Sequence, residues 1–501
     1  MQSTLYGAEY APSAAERVGP GVWIASLGLG AAATGVLYAA QPGINWLLMI
    51  LGVATALLVL ERPTAAALRS PRYAAAGIAI LLAGAAAVTD DGHVEFLLLV
   101  GILWLGTLVA CLATGRPPAS FGAGRLAAVP LFAPPLIVRE SMRVVGEGVR
   151  AVGSERSVAP VRGAVIAVLV VVPLFALLGE ADPTFGTLRD SIVTLLTSLQ
   201  GLGRLVFLLC IAFGCLGYLN LARRHAGSRD SDSKPDEFIA RHTDTERLIV
   251  LVAVAILFGV FLGLQVSYLF GNPGARVGSG VTLAEAVHRG FIEMTIVVAL
   301  TAAVIVVLDR DARRGGREVL VRSISGLVLV ECLVILASAY ARLSAYESAY
   351  GYTEFRIYVR LYIGFLGVTL TLVCAELNRG IVVARLLWHT SLAALTALVV
   401  LGYWNHSAWI VRANLERYSR TGQLDVDYLA RTDNDGIPEL VRQLAALDTG
   451  MHAQIRTAVC NVWRKGECSG SPDRARTPWF EWNLRRSAAA NAIKELSHEN
   501  P

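Results

Sequence analysis

VLVRSISGLVLVECLVILASAYA, residues 319–341, decides the fold. Only Arg322 and Glu331 interrupt its apolar character. A helix over this run is about 35 Å long at about 1.5 Å per residue, enough to cross a hydrocarbon core about 30 Å thick. The run does not alternate as a barrel strand would, and unpaired backbone cannot lie in lipid, so it reads as a membrane helix.

Working outward, similar runs occur at 21–40, 44–61, 73–89, 94–113, 163–179, 203–222, 248–270, 286–308, 355–376 and 380–402. The expected fold class is all-α: a polytopic membrane helix bundle of about eleven transmembrane helices, with a small helical extracytoplasmic C-terminal cap. Charged residues are 17% of the chain, against about 25% in soluble domains. Residues 125–138 are apolar but broken by Pro130, Pro134 and Pro135, and read as interfacial or re-entrant. The expected organisation is a cytoplasmic N-terminal segment (1–20), four membrane helices (21–113), a cytoplasmic loop (114–162), seven membrane helices (163–402) and an extracytoplasmic tail (403–501). Glu9, Glu16 and Arg17 precede the first span without a basic n-region, so that span is expected to remain as an anchor.

Loop charge sets the orientation. Lys and Arg gather in 62–72 (Arg62, Arg69, Arg72), 114–162, 223–247, 309–318 and 377–385, which eleven spans put on one side, the cytoplasm. The opposite loops are acidic, as in DDGH at 90–93 and EADPTF at 180–185. The N-terminus is thus expected inside and the tail outside. The net charge of +5 belongs to these loops and gives no reason to expect a nucleic-acid partner. The expected partners are the lipid bilayer and a protein bound through 403–501.

Cys460 and Cys468 are the tail's two cysteines. An extracytoplasmic compartment favours a disulfide between them; two free thiols is the alternative. Without a nearby His pair they do not complete a zinc shell, so no metal is expected. In the tail, Leu440, Val441, Leu444 and Leu447 share one face of a helix over 437–447, and 479–496 reads as another helix beginning near Trp479 and Trp482.

Ionisable groups inside a span are costly and default to function. Glu331 sits near mid-span. Glu285, Arg289 and Glu293 are spaced four apart on one face, as are Arg356 and Arg360. The expected outward-facing cluster joins Glu293, Glu331, Arg356 and Arg360, with Tyr346 and Tyr350 above it. Two readings stand: a ligand site, or charge pairs that lock helices together. No P-loop, HExxH, GxSxG or CxxC motif occurs, so no catalytic residue and no cofactor are expected.

YLFG at 268–271, TLAEAVHRGFIEM at 282–294 and YESAYGYTEFRIYV at 346–359, with EADPTF, LDVDYLARTDNDGIPEL at 424–440 and WNLRRSAAA at 482–490, resemble a family of bacterial membrane proteins. It is the domain-of-unknown-function group numbered 4153 and 4173, and the likeness spans roughly 120–490. Leu283 and Tyr352 depart from its usual Tyr and Leu. The resemblance implies a multi-helix protein of the bacterial cytoplasmic membrane and no particular activity. The expected function is ligand binding or transport through the polar cluster. The alternatives are a sensor or scaffold acting through the tail, and an enzyme on a lipid-linked substrate.

Overall fold

The structure, a computed structural model, describes residues 18–111, 137–148, 200–224, 243–269, 291–310, 317–464 and 478–498. The described helices before the tail are α1 (Pro20–Val36), α2 (Ile44–Glu61), α3 (Pro71–Ala85), α4 (Gly92–Cys111), α5 (137–148), α6 (Gln200–Arg224), α7 (Asp244–Leu269), α8 (Phe291–Arg310), α9 (Glu318–Tyr350), α10 (Glu354–Leu377) and α11 (Val383–Tyr403). The C-terminal helices are α12 (His406–Thr421), α13 (Val426–Ala430), α14 (Ile437–Leu444), α15 (Thr449–Arg464) and α16 (Leu484–His498), with a 3-10 turn at Trp479–Glu481. There is no strand among the described residues.

Seven helices (α2, α4, α6, α7, α9, α10 and α11) are long and apolar enough to cross a membrane. Shorter apolar stretches are Pro20–Val36, Pro71–Ala85 and Met294–Asp309. These seven and the three shorter ones stand at ten of the eleven expected runs, and the 163–179 run lies outside the described residues. Large apolar side chains are exposed along the outer faces of the helices. Ile249, Ile256, Leu257 and Val260 on α7 are each more than half exposed. A continuous apolar surface of this kind is the wrong exterior for water and the right one for lipid.

Two apolar cores fill the bundle. Val22, Leu82, Leu98, Leu105 and Leu219 join α1, α3, α4 and α6 in one. Leu251, Val298, Val328, Cys332 and Leu370 join α7 to α10 in the other. Helix α11 links them, giving Leu395 and Leu401 to the first and Leu386 to the second. A third core, with Val411, Leu440, Leu444, Ile455 and Leu496, belongs to the C-terminal helices. Of the tail face expected to be apolar, Leu440 and Leu444 are buried, while Val441 and Leu447 are partly buried.

Three features differ from the reading by apolar runs. Residues 137–148, read as part of a loop, are helical and pack on α6. Ser141 Oγ donates to Phe213 O at 2.6 Å, and a Cβ on Gly217 would lie 2.2 Å from Ile137 O. The charges of α5 neutralise one another, since Arg143 bonds both Glu140 and Glu147. Arg72, counted among loop charges, is buried and pairs with Glu61 at 2.7 Å while its Nε donates to Val109 O. Finally, α9 does not stop near Tyr340 but continues to Tyr350.

Candidate functional site

At one end of the bundle the C-terminal helices close over the loop between α3 and α4 and the turn between α9 and α10. The loop is held first. Asp91 caps α4: its Oδ1 accepts from the backbone N–H of His93 at 2.8 Å and Val94 at 3.2 Å. Asn483 caps α16 in the same way, accepting from the N–H of Arg485 and Arg486 at 3.0 and 3.1 Å. Its Nδ2 donates to the carbonyls of Ala86 and Thr89. One asparagine thus starts a helix and grips the loop. Arg485 pairs with Asp435, Arg486 pairs with Asp90, and Asn434 donates to Asp90.

The turn is held next. Gly351 adopts φ 85°, a left-handed conformation that favours glycine, and Asn414 Oδ1 lies 2.6 Å from where a Cβ would stand. Asn414 exchanges hydrogen bonds with Tyr352 N–H at 2.9 Å and Tyr352 O at 2.8 Å. Arg417 donates to the carbonyls of Ser348 and Ala349, the end of α9. The Glu354 N–H donates to Tyr428 Oη at 2.9 Å.

Inside this seam, carboxylate oxygens of Asp91, Glu354 and Asp433 all lie within 4.8 Å of one another. They come from the α3–α4 loop, the first residue of α10 and the α13–α14 loop. Asp91 Oδ2 accepts from Tyr358 Oη and lies 3.0 Å from Nε2 of the fully buried His406. His406 is positioned because Asn405 caps α12, accepting from Ala408 N–H at 2.8 Å. Its other ring nitrogen, Nδ1, has no partner. Burial pushes the Asp91 carboxyl up, but the bonds from His406 and Tyr358 outweigh it and hold it at about 2. Asp433 has no such donors. Burial and then the charges of Glu354, Asp91, Asp435 and Asp90 push it up to about 8. Three carboxylates at this spacing repel unless a proton or a cation lies between them. The spacing suits oxygen ligands around a hard cation at about 2.3–2.6 Å.

The residues expected to form a cluster are distributed differently. Arg360 pairs with fully buried Glu347 and stacks 5.2 Å over the Tyr340 ring. Arg356 donates to Gly351 O and lies 4.4 Å over the Tyr346 ring, which packs on Tyr350 at 4.8 Å. Glu331 does not join them. It lies nineteen residues before the end of α9, about 28 Å away at about 1.5 Å per residue. A Cβ on Gly259 of α7 would lie 3.6 Å from its Oε1, and its buried Oε2 has no hydrogen-bond partner among the described residues. Glu293 is in the first turn of α8, and Glu285 and Arg289 lie outside the described residues. Cys460 is disulfide-bonded, and Cys468 also lies outside them. Asp91, Glu354, His406 and Asp433 were not singled out from the sequence. The signal available was a pair of acidic, glycine-containing turns, TDDG at 89–92 and TDNDG at 432–436, on one side of the bundle.

An apolar-surfaced helical bundle, closed at one end by a helical unit over a buried polar seam, defines a polytopic membrane protein. The family model described as Domain of unknown function (DUF4153) matches residues 76–443. The chain belongs to that family. The match begins earlier than the roughly 120 expected and ends before WNLRRSAAA. No curated protein and no solved structure matches the chain.

Proposed function

We propose that the protein is a multi-pass membrane protein that binds a hard cation in the seam, through Asp91, Glu354 and Asp433. The observation that carries this reading is the mutual approach of three carboxylates within 4.8 Å, from three separate elements. Their neighbours support it. Asp90 and Asp435 each have an arginine, whereas no ion pair is formed by Glu354 or Asp433 among the described residues. A cation there ties the C-terminal helices to the bundle. With the orientation favoured by loop charge, the ligand enters from outside the cell and the tail is extracytoplasmic.

The Glu347–Arg360 and Arg356–Tyr346 contacts support helix locking for the other charges, because each arginine already has a protein partner. The test is thermal unfolding of the detergent-purified chain with calcium or magnesium against chelator. A ligand at a hundred times its Kd adds about 2.7 kcal/mol. A saturable rise in Tm is expected, lost in Glu354→Gln and in Asp433→Asn. A flat response in the wild type sinks the proposal and leaves a carboxyl group that shares protons.

A further inference from the structure

The 3-10 turn at Trp479–Glu481 has a feature that the seam does not explain. Trp479 is 69% exposed, and Trp482 and Leu484 are about half exposed, although Asn483 and Arg485 beside them are buried. Their backbone is fixed. The Ile44 N–H donates to Trp482 O at 3.0 Å, the Leu484 N–H donates to Ala87 O at 2.8 Å, and Arg486 reaches Pro42 O. Gly43 is packed so tightly that a Cβ there would lie 2.7 Å from Trp482 O. The turn is therefore bound to the first residue of α2.

Helix α2 sets the depth. It is long and apolar enough to span; one face packs on the first core, while Leu48, Leu51, Leu58 and Val59 are exposed and face lipid. Its first residue must lie where hydrocarbon gives way to headgroups. A turn hydrogen-bonded to that residue lies in the same plane. Tyr403, 43% exposed at the end of α11, lies at the same end, its carbonyl bonded by Arg485. Tryptophan favours this zone because the ring is apolar and its N–H still finds polar partners.

We propose that the Trp479–Leu484 turn docks the C-terminal helices onto the lipid interface, with Trp479 and Trp482 seated among the headgroups beside α2. The surface is continuous with the lipid-facing side of α2, which selects lipid over a protein partner or a second copy. The proposal rests on the membrane reading of α2 and not on cation binding, so either can fail alone.

The experiment uses the full chain in phosphatidylcholine vesicles. Emission from the Trp479→Phe, Trp482→Phe double variant is subtracted from that of wild type. Far-UV circular dichroism checks that the variant folds, and Trp479→Phe alone serves if the double variant does not. The difference emission should lose most of its intensity with lipid brominated near the headgroup, and little with aqueous iodide. Loss to iodide alone overturns the proposal, because the rings then stand in water. Emission reached by neither quencher also overturns it, because the rings are then covered by protein.

Discussion

Arg485 reaches across the α3–α4 loop to pair with Asp435, whose Oδ2 also accepts from Thr89 Oγ1 at 2.9 Å. Both charges are almost wholly buried. Removing one partner strands the other, which costs about 3–5 kcal/mol. Arg485→Ala and Asp435→Ala should each lower Tm sharply in detergent and open residues 406–498 to protease. A change below about 0.5 kcal/mol, the size of an exposed pair, would show that water reaches the seam.

Glu347 and Arg360 lock α9 to α10. Glu347→Leu and Arg360→Met should each destabilise the chain by about 3 kcal/mol. The double variant Glu347→Leu with Arg360→Met should recover much of that loss, because neither charge is then stranded. Additive losses in the double-mutant cycle would argue that the two side chains act separately.

Glu331 is a different case. Its buried oxygen has no partner, and an unsatisfied buried polar group costs about 1–3 kcal/mol. Glu331→Leu should therefore leave Tm unchanged or raise it. A large drop in Tm would reveal a partner that the present contacts do not contain. Raised stability together with a cell phenotype would mark the carboxyl as functional.

Asp448 caps α15, accepting from the Met451 N–H at 3.0 Å. That bond lowers its carboxyl below the ordinary value, burial opposes it, and Tyr418 adds to it. A depressed carboxyl stabilises the fold above its unfolded value, about 3.9, and the contribution fades as pH falls through the lower folded value. Asp448→Asn should lower Tm at neutral pH and narrow the wild type's loss of Tm on acidification. An unchanged acid dependence would remove Asp448 from the account.

Cys460 is disulfide-bonded, and spacing makes Cys468 the expected partner. Peptide mapping without reductant should recover those two cysteines in one linked fragment. Recovery of Cys468 as a free thiol would contradict the pairing.

Most spans were legible because lipid imposes a length and an apolarity on each run. Run length fails where polarity returns but helix continues. After Tyr340 the chain carries Arg342, Glu347 and two serines, so the apolar run ends; α9 persists because Arg417 satisfies the carbonyls at its far end. That extension brings Glu347, rather than Glu331, opposite Arg360. Helix α5 was hidden for a related reason: Glu140, Arg143 and Glu147 read as loop charge although they neutralise each other. The seam was less legible still. Asp91 and His406 are 315 positions apart, and nothing periodic connects them.

The grip on the α3–α4 loop has a consequence in time. Arg486 is made 396 residues after Asp90. At about 5–20 residues per second, the loop waits roughly 20–80 s for its clamp. Until then Asp90 lacks its arginine and the Thr89 carbonyl lacks the Asn483 amide. A chain cut short before Asn483 never closes over the loop, so its closure reports that synthesis has passed Arg486.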